Sequence, residues 1–280
     1  MENQITVTFW GVRGSRPVPG KETVIYGGNT PCVEVCAGGK RAIFDSGTGI
    51  CNLGNKMMAE KKPVDAAVFI GHTHWDHIQG FPFFAPSFVE GNRFMIYGQG
   101  KMNLTFAQLM RGQMEHPHFP VSLDQLQGDF EFHEIKAGQV VDLGDGVSVR
   151  STHLNHPNGC LGYRLDYNGK SVCYISDNEH YKVMDSTLLG FVFDADLLIY
   201  DAMYTNEEYA GDGPYPSKTG WGHSTWEEAV ALVQAAEIKQ LALFHHAVYR
   251  TDADLAAIEQ RAQAIFPGTC AAREGMVVII

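Results

Sequence analysis

Short apolar blocks separated by turn residues predict strands before anything else. In the first half they fall at 4–10 ("QITVTFW"), 32–36, 40–45, 66–70 and 94–98. In the second half they fall near 130–135, 146–152, 161–167, 171–176, 196–200, 239–244 and 276–280. Helical periodicity fits 50–60, 182–189, 224–237 and 252–265, with one more helix near 102–112. "STWE" at 224–227 reads as a capping box, with Ser224 as N-cap and Glu227 reaching back. "TDAD" at 251–254 is a weaker start of the same kind. Trp226, Ala229, Val230 and Val233 then form one apolar face. Each half runs strands first and then mixes strands with helices. That order predicts an α/β chain, an α+β arrangement in four layers, with two sheets face to face and helices outside. Residues 81–128 break the pattern, because proline punctuates "FPFFAPSF" and "MEHPHFPV". They are expected to form a lid or dimer-contact insertion in a single domain spanning 1–280.

Composition narrows the classes. The chain has 280 residues, 45% of them hydrophobic, enough for a sizeable core. No apolar run approaches a membrane span, and "MENQITVTFW" lacks the regions of a signal peptide. The six cysteines form no CxxC pair and are expected to be free thiols of a cytoplasmic protein; a Cys32–Cys36 metal site is the weaker alternative. The formal net charge of −11 argues against a surface that grips long nucleic acid. A small anion held locally by metal remains open.

Candidate chemistry concentrates in "GHTHWDHIQG" at 71–80. His72, His74, Asp76 and His77 follow the apolar run "AAVFI", so they sit on a loop at the carboxyl end of a strand, where open α/β sheets place ligands. Buried polar groups need partners, and a metal ion satisfies such a cluster better than chance crowding does. Later strand ends offer His156, Asp177, His223 and the pair His245 and His246. His133, His153 and His180 are read as having no chemical role. "GVRGSRP" at 11–17 lacks the Walker pattern and is read as a structural turn, with Arg13 or Arg16 lining the cleft as the alternative.

"HTHWDH" matches the HxHxDH motif of the metallo-β-lactamase fold, and "FDSGTG" at 44–49 resembles that fold's Asp-x-Gly turn. "LLIYDAMY" followed by "GHST", and then "LALFHH", resemble motifs of tRNA 3′-processing endonucleases and small cyclic-nucleotide phosphodiesterases. The resemblance implies an αββα sandwich of two mixed β-sheets flanked by helices. It implies one divalent metal on His72, His74 and His156, a second on Asp76, His77 and His245, and Asp177 bridging them. Zinc suits the imidazoles, with manganese or iron open. Asp45 would fix a ligand imidazole. A hydroxide shared between the metals would attack phosphorus, with Asp76 helping to position it. His223, oriented by Asp201, would protonate the leaving oxygen.

Two metals, two carboxylates and a hydroxide sum to about +1, which suits the single negative charge of a phosphodiester. The expected function is hydrolysis of a small phosphodiester, foremost a 3′,5′-cyclic nucleotide, by a homodimer. Trp75, Phe83 and Phe84, with Phe81 and Phe119, are candidates to stack on a base, and His116 and His118 to touch phosphate or ribose. The alternatives are a nuclease on RNA or DNA ends, a lactonase or thioesterase, and a non-catalytic sensor.

Overall fold

The structure, a computed structural model, describes residues 4–280 apart from Gly213 and Tyr215. In chain order the elements are β1 (Ile5–Gly11), β2 (Cys32–Ala37), β3 (Lys40–Phe44), α1 (Gly49–Glu60), β4 (Asp65–Phe69), α2 (Trp75–Ile78), β5 (Arg93–Gly98), α3 (Phe106–Gly112), β6 (Asp129–Glu134) and β7 (Val140–Gly144). They continue with β8 (Val147–Leu154), β9 (Cys160–Tyr167), β10 (Lys170–Ile175), α4 (Ser186–Val192), β11 (Leu197–Asp201), α5 (Asn206–Ala210), α6 (Trp226–Ala235), β12 (Gln240–Phe244), α7 (Asp252–Ile265), β13 (Thr269–Ala271) and β14 (Val277–Ile279). None of the described helices is long and apolar enough to cross a membrane.

Among the described residues the strands form two seven-stranded sheets, ordered β14-β1-β2-β3-β4-β5-β6 and β13-β12-β11-β10-β9-β8-β7. Both are mixed. In the first, β1, β2 and β3 pair antiparallel, whereas β3 to β6 run parallel. In the second, β7 to β10 pair antiparallel and β10 to β13 run parallel. The inner parallel strands β4, β11 and β12 are mostly apolar runs because both faces are covered, whereas the edge strand β6 alternates. One core lies between the sheets, from Val7 and Phe44 to Leu165 and Phe244. A second lies between the β8–β12 face and α4, α6 and α7, and a third packs β3 to β5 against α1 and α3. This is the four-layer αββα sandwich expected from the sequence.

Four aromatic rings cap the central core below the strand ends. Phe44 stacks on Tyr174 with centroids 5.3 Å apart, and Phe69 meets Tyr163 at 5.3 Å. A buried phenol needs a partner. Tyr163 donates to the Ile70 carbonyl at 2.7 Å, and Tyr174 donates to Asp45 Oδ2 at 2.7 Å. The core thus fixes the two loops that leave β3 and β4.

Two strands and two short helices escaped the apolar pattern. β7 is a half-exposed edge strand and β13 has three residues, so neither shows a periodicity. The cap of α6 lies one residue later than "STWE" predicts: the Thr225 hydroxyl accepts from the Glu228 amide at 3.2 Å, and the Ser224 hydroxyl bonds His180 Nδ1 at 3.0 Å. α7 starts at the expected capping box of Thr251 and Asp254. Within 81–128, β5 is an inner strand between β4 and β6, and the expected helix is α3. That helix begins late because Lys101 and Leu104 exchange backbone hydrogen bonds around Met102 and Asn103, whose φ values are 52° and 66°. Two successive positive φ values make this a tight hairpin turn.

Candidate metal centre

Residues far apart in the sequence meet where strands of both sheets end. Asp45 follows β3, His72 and His74 follow β4, and Asp76 and His77 lie in α2. His156 lies between β8 and β9, Asp177 follows β10, Asp201 ends β11, His223 precedes α6 and His245 follows β12. Parallel strands deliver their carboxyl ends, and the loops on them, to one edge.

The donor atoms form two clusters that share one carboxylate, and a third grouping of Asp177, Asp201, His223 and His245 overlaps the second. His72, His74, His156 and Asp177 make the first, and Asp76, His77, Asp177 and His245 the second. Asp177 Oδ2 lies 3.6 Å from both His72 Nε2 and His156 Nε2. His156 Nε2 is 3.1 Å from His74 Nδ1. Asp177 Oδ1 lies 3.1 Å from both His77 Nε2 and His245 Nε2. Asp76 Oδ2 is 3.4 Å from His77 Nε2 and 3.2 Å from His245 Nε2. Each oxygen of Asp177 therefore serves one cluster.

The donor set fits a metal. Ligand atoms on a tetrahedron with bonds of about 2.0–2.1 Å stand about 3.3 Å apart, close to the spacings above. His72 Nε2, His77 Nε2 and Asp177 Oδ1, which face the clusters, are buried without a hydrogen-bond partner. Native proteins rarely leave such groups bare, and an ion is one explanation. Burial lowers the pKa of His72 far below normal and that of His156 to about 4, so both imidazoles keep their lone pairs. Burial alone would raise the Asp177 carboxyl, but His245 and His77 outweigh it and hold it well below the usual range. Burial would likewise lower His77, but Asp177, Asp76 and Asp45 raise it, so without a cation a proton takes that place.

Surrounding groups fix the donors. His77 Nδ1 lies 2.6 Å from Asp45 Oδ2, and Asp45 Oδ1 accepts from the Gly71 amide at 2.8 Å. Such a carboxylate sets the tautomer and orientation of a ligand imidazole. Asp45 and His245 hold φ values of 60° and 58°, a conformation costly for residues with a side chain. Asp76 Oδ2 accepts from the Ser15 amide at 2.7 Å. The "GVRGS" turn can reach that far because Gly14 has no side chain: a Cβ there would lie 2.6 Å from the His245 ring. Arg13 is buried, donating to the Gly27 and Arg250 carbonyls at 2.8 Å each. It holds the turn together and does not line a cleft.

His223 Nδ1 lies 2.8 Å from Asp201 Oδ2, leaving Nε2 as the nitrogen available to a substrate. Asp201 is itself fixed by the Met203 amide at 3.1 Å. The His223 ring is 5.0 Å from that of His245 and 5.2 Å from that of His156, so it borders both clusters. His246 points away and bonds the Ala272 carbonyl at 2.9 Å.

Glu179 escaped the sequence reading. Its Oε1 accepts from Tyr209 Oη and the Gly220 amide at 2.7 Å each, and its Oε2 accepts from the Gly222 amide at 2.8 Å. The Gly222 carbonyl in turn lies 2.7 Å from His156 Nδ1. Glu179 thus clamps the loop that orients His156 and carries His223. A carboxylate two residues after Asp177 in "SDNEH" was the available signal.

The expected base-stacking residues are dispersed. Trp75 and Phe83 are exposed, and Phe83 packs edge-on against Phe119 at 5.4 Å. His116 and His118 are exposed on the surface. Phe84 is corrected to a core residue: it is 1% exposed, its ring faces Phe94 at 5.4 Å, and it has no face left for a ligand.

Metal removal should destabilise the protein. Metal at a thousandfold above its Kd contributes about 4 kcal/mol, a Tm shift of roughly 8–16 °C for a chain near this size. Scanning calorimetry before and after chelation, and after adding zinc back, measures it. An unchanged Tm in protein shown to have lost bound metal would contradict the two-cluster reading.

The family model described as "Beta-lactamase superfamily domain" matches residues 40–246. A protein of Haloferax volcanii named Ribonuclease Z is 23% identical, over 93% of this chain and 90% of its own length. Among solved structures, the metallo-beta-lactamase fold protein YhfI of Bacillus subtilis superposes with a TM-score of 0.73 at 18% identity, covering 99% of this chain and all (100%) of its own. The short form of human tRNase Z superposes with a TM-score of 0.66 at 20% identity, covering 98% of each chain. With most of its length matched by the family and its histidines and aspartates gathered as described, the chain belongs to the beta-lactamase superfamily and is a hydrolase.

Proposed function

We propose that the protein is a binuclear metal-dependent phosphodiesterase acting on a small phosphodiester, foremost a 3′,5′-cyclic nucleotide. The observation that carries this is the His223–Asp201 pair at the border of two donor clusters joined by Asp177. When bound, two divalent cations, with zinc favoured by the imidazoles, supply a Lewis-acid clamp for the phosphoryl oxygens and a hydroxide at neutral pH. His72, His74 and His156 would hold one and Asp76, His77 and His245 the other, with Asp177 common to both. The chain's own task is the leaving group. An alkoxide departs badly without a proton, and His223 Nε2 is placed to give one. A strained lactone has less need of such an acid. Asp201 holds the ring by Nδ1 and keeps it charged.

A small substrate accords with the net charge of −11 and the lack of a basic run. Six free cysteines accord with a cytoplasmic location. The exposed Phe83 and Phe88 make 81–128 the expected homodimer contact. A second reading, cleavage at an RNA 3′ end, is favoured by the relative named Ribonuclease Z. One zinc-loaded preparation tested on cyclic mononucleotides, bis(4-nitrophenyl) phosphate, an RNA with a 3′ trailer and a lactone separates these. Cyclic-nucleotide turnover with little salt dependence is expected. Turnover of the RNA alone, falling steeply with salt, would favour the second reading. Lactone turnover alone would overturn both.

The pH profile reports on the acid. Burial would lower His223, but Asp201 foremost, then Asp177 and Asp76, raise its pKa to about 9. The proton is therefore present below that pH and lost above it; bound cations would draw the value down. Asp201→Asn removes the main raising charge. The basic limb of the kcat profile should move to lower pH by at least about one unit, with the deficit small at pH 6 and largest at pH 9. A uniform loss at every pH would show that Asp201 does not set this proton.

A further inference from the structure

A cleft of about 570 Å³ opens beside His72 and His74, between the Lys101–Leu104 hairpin, Leu109 of α3 and the turn at 158–159. That volume suits a small organic ligand. No aspartate or glutamate is among the residues that line it, although the chain carries 32 acidic residues against 21 lysines and arginines. Lys101 supplies a positive charge there. Its ammonium donates one N–H to the Gly159 carbonyl, and no described carboxylate lies within ion-pair distance of it. Two of its three donors remain for a ligand. Burial lowers its pKa, as expected of a cation without a counter-charge.

The walls are of two kinds. Met102 and Leu104, 86% and 47% exposed, line the cleft together with Leu109. The amides of Gln99 and Asn158 and the imidazole of His153 also line it. Apolar surface, hydrogen-bonding side chains and one cation in a single cleft match a flat heterocycle bearing polar acceptors.

We infer that this cleft is a nucleotide subsite, in which Lys101 donates to a base or ribose acceptor of the nucleoside attached to the scissile diester. The inference rests on the phosphodiesterase reading and names residues that determine its specificity. A cyclic nucleotide and an RNA end share this chemistry. The residues expected from the sequence to meet the base, ribose or phosphate, Trp75, Phe81, Phe83, Phe84, Phe119, His116 and His118, do not line the cleft.

The test is Lys101→Met, which keeps the stem and removes the charge from a partly exposed residue. In zinc-loaded protein, KM for a cyclic nucleotide or a short oligoribonucleotide should rise about tenfold, the loss of a charged hydrogen bond. The kcat/KM for bis(4-nitrophenyl) phosphate, which has no nucleotide, should change less than about twofold. Calorimetric binding of nucleoside 5′-monophosphates should weaken about tenfold, and that of inorganic phosphate should not. Equal effects on plain and nucleotide ligands, or no effect on either, would overturn the subsite. Should the unaltered protein cleave no diester, the phosphodiesterase reading fails by itself; the calorimetry then decides the subsite alone. The larger KM change between cyclic nucleotide and oligoribonucleotide identifies which source the cleft serves.

Discussion

Replacing His223 by alanine is expected to lower kcat for phosphodiester hydrolysis by about 10²–10⁴-fold while leaving metal content unchanged. The two halves of this expectation come from different atoms. His223 uses Nδ1 on Asp201 at 2.8 Å, and its ring stands beside His156 and His245. It also lies near enough to Asp177 and His245 to complete a third donor group with Asp201. A ligand role for His223 therefore has a geometric basis, and metal content decides between the two roles. As an acid, His223 acts on the leaving oxygen, so a substrate with a good leaving group, such as 4-nitrophenolate, should be much less affected than one with an alkoxide. If His223→Ala loses a metal equivalent, or slows both substrates equally, His223 is a ligand and the leaving group departs by other means.

The sequence was most informative where chemistry and periodicity coincide. The apolar runs end where strands end, so His72, Asp177 and His245 are readable as residues at the carboxyl ends of strands. Asp45 is legible only through the resemblance of "FDSGTG" to the Asp-x-Gly turn of the fold. What escaped depends on contacts across the fold. Ser15 touches Asp76 through its backbone amide, which any residue type could supply. Glu179 works through the Gly220 and Gly222 amides of a loop more than forty positions away, at sequence separations of 41 and 43. The setting of Lys101, in a cleft whose described lining holds no carboxylate, is assembled from separate segments and cannot be read along a chain. Phe84 fell the other way: proline-rich surroundings suggested an exposed segment, yet α1 and Phe94 bury its ring. A one-residue shift of the α6 cap likewise follows from Ser224 being used by His180.

These omissions share a cause. Ligands must present particular side chains, so a motif records them. The groups that orient ligands need supply only a hydrogen bond of the right length, and many residues or the backbone can do that. A His72-type residue is therefore visible in one dimension, whereas a Glu179-type residue is visible only in three. The same distinction separates the two carboxylates at neighbouring strand ends. Asp177 is common to every donor group, whereas Asp201 reaches the site through His223.

Asp177→Asn and Asp201→Asn should consequently part company, although the two residues are similarly buried, 2% and 0% exposed, and follow adjacent strands. At Asp177 the substitution removes the charge that faces His72 and His156 through Oδ2 and His77 and His245 through Oδ1. An amide offers one oxygen in place of two, and its NH₂ would point a donor at one of the clusters. At least one metal equivalent should be lost on elemental analysis. The loss of several kcal/mol of transition-state stabilisation should lower kcat by at least about 10³-fold. At Asp201 the metals should stay and the pH profile should move. The comparison controls for folding, because each variant neutralises one buried carboxylate with an isosteric amide. If Asp177→Asn retains both metals, the carboxylate does not join the clusters. The close approach of His72, His156, His77 and His245 to its two oxygens would then be electrostatic pairing alone.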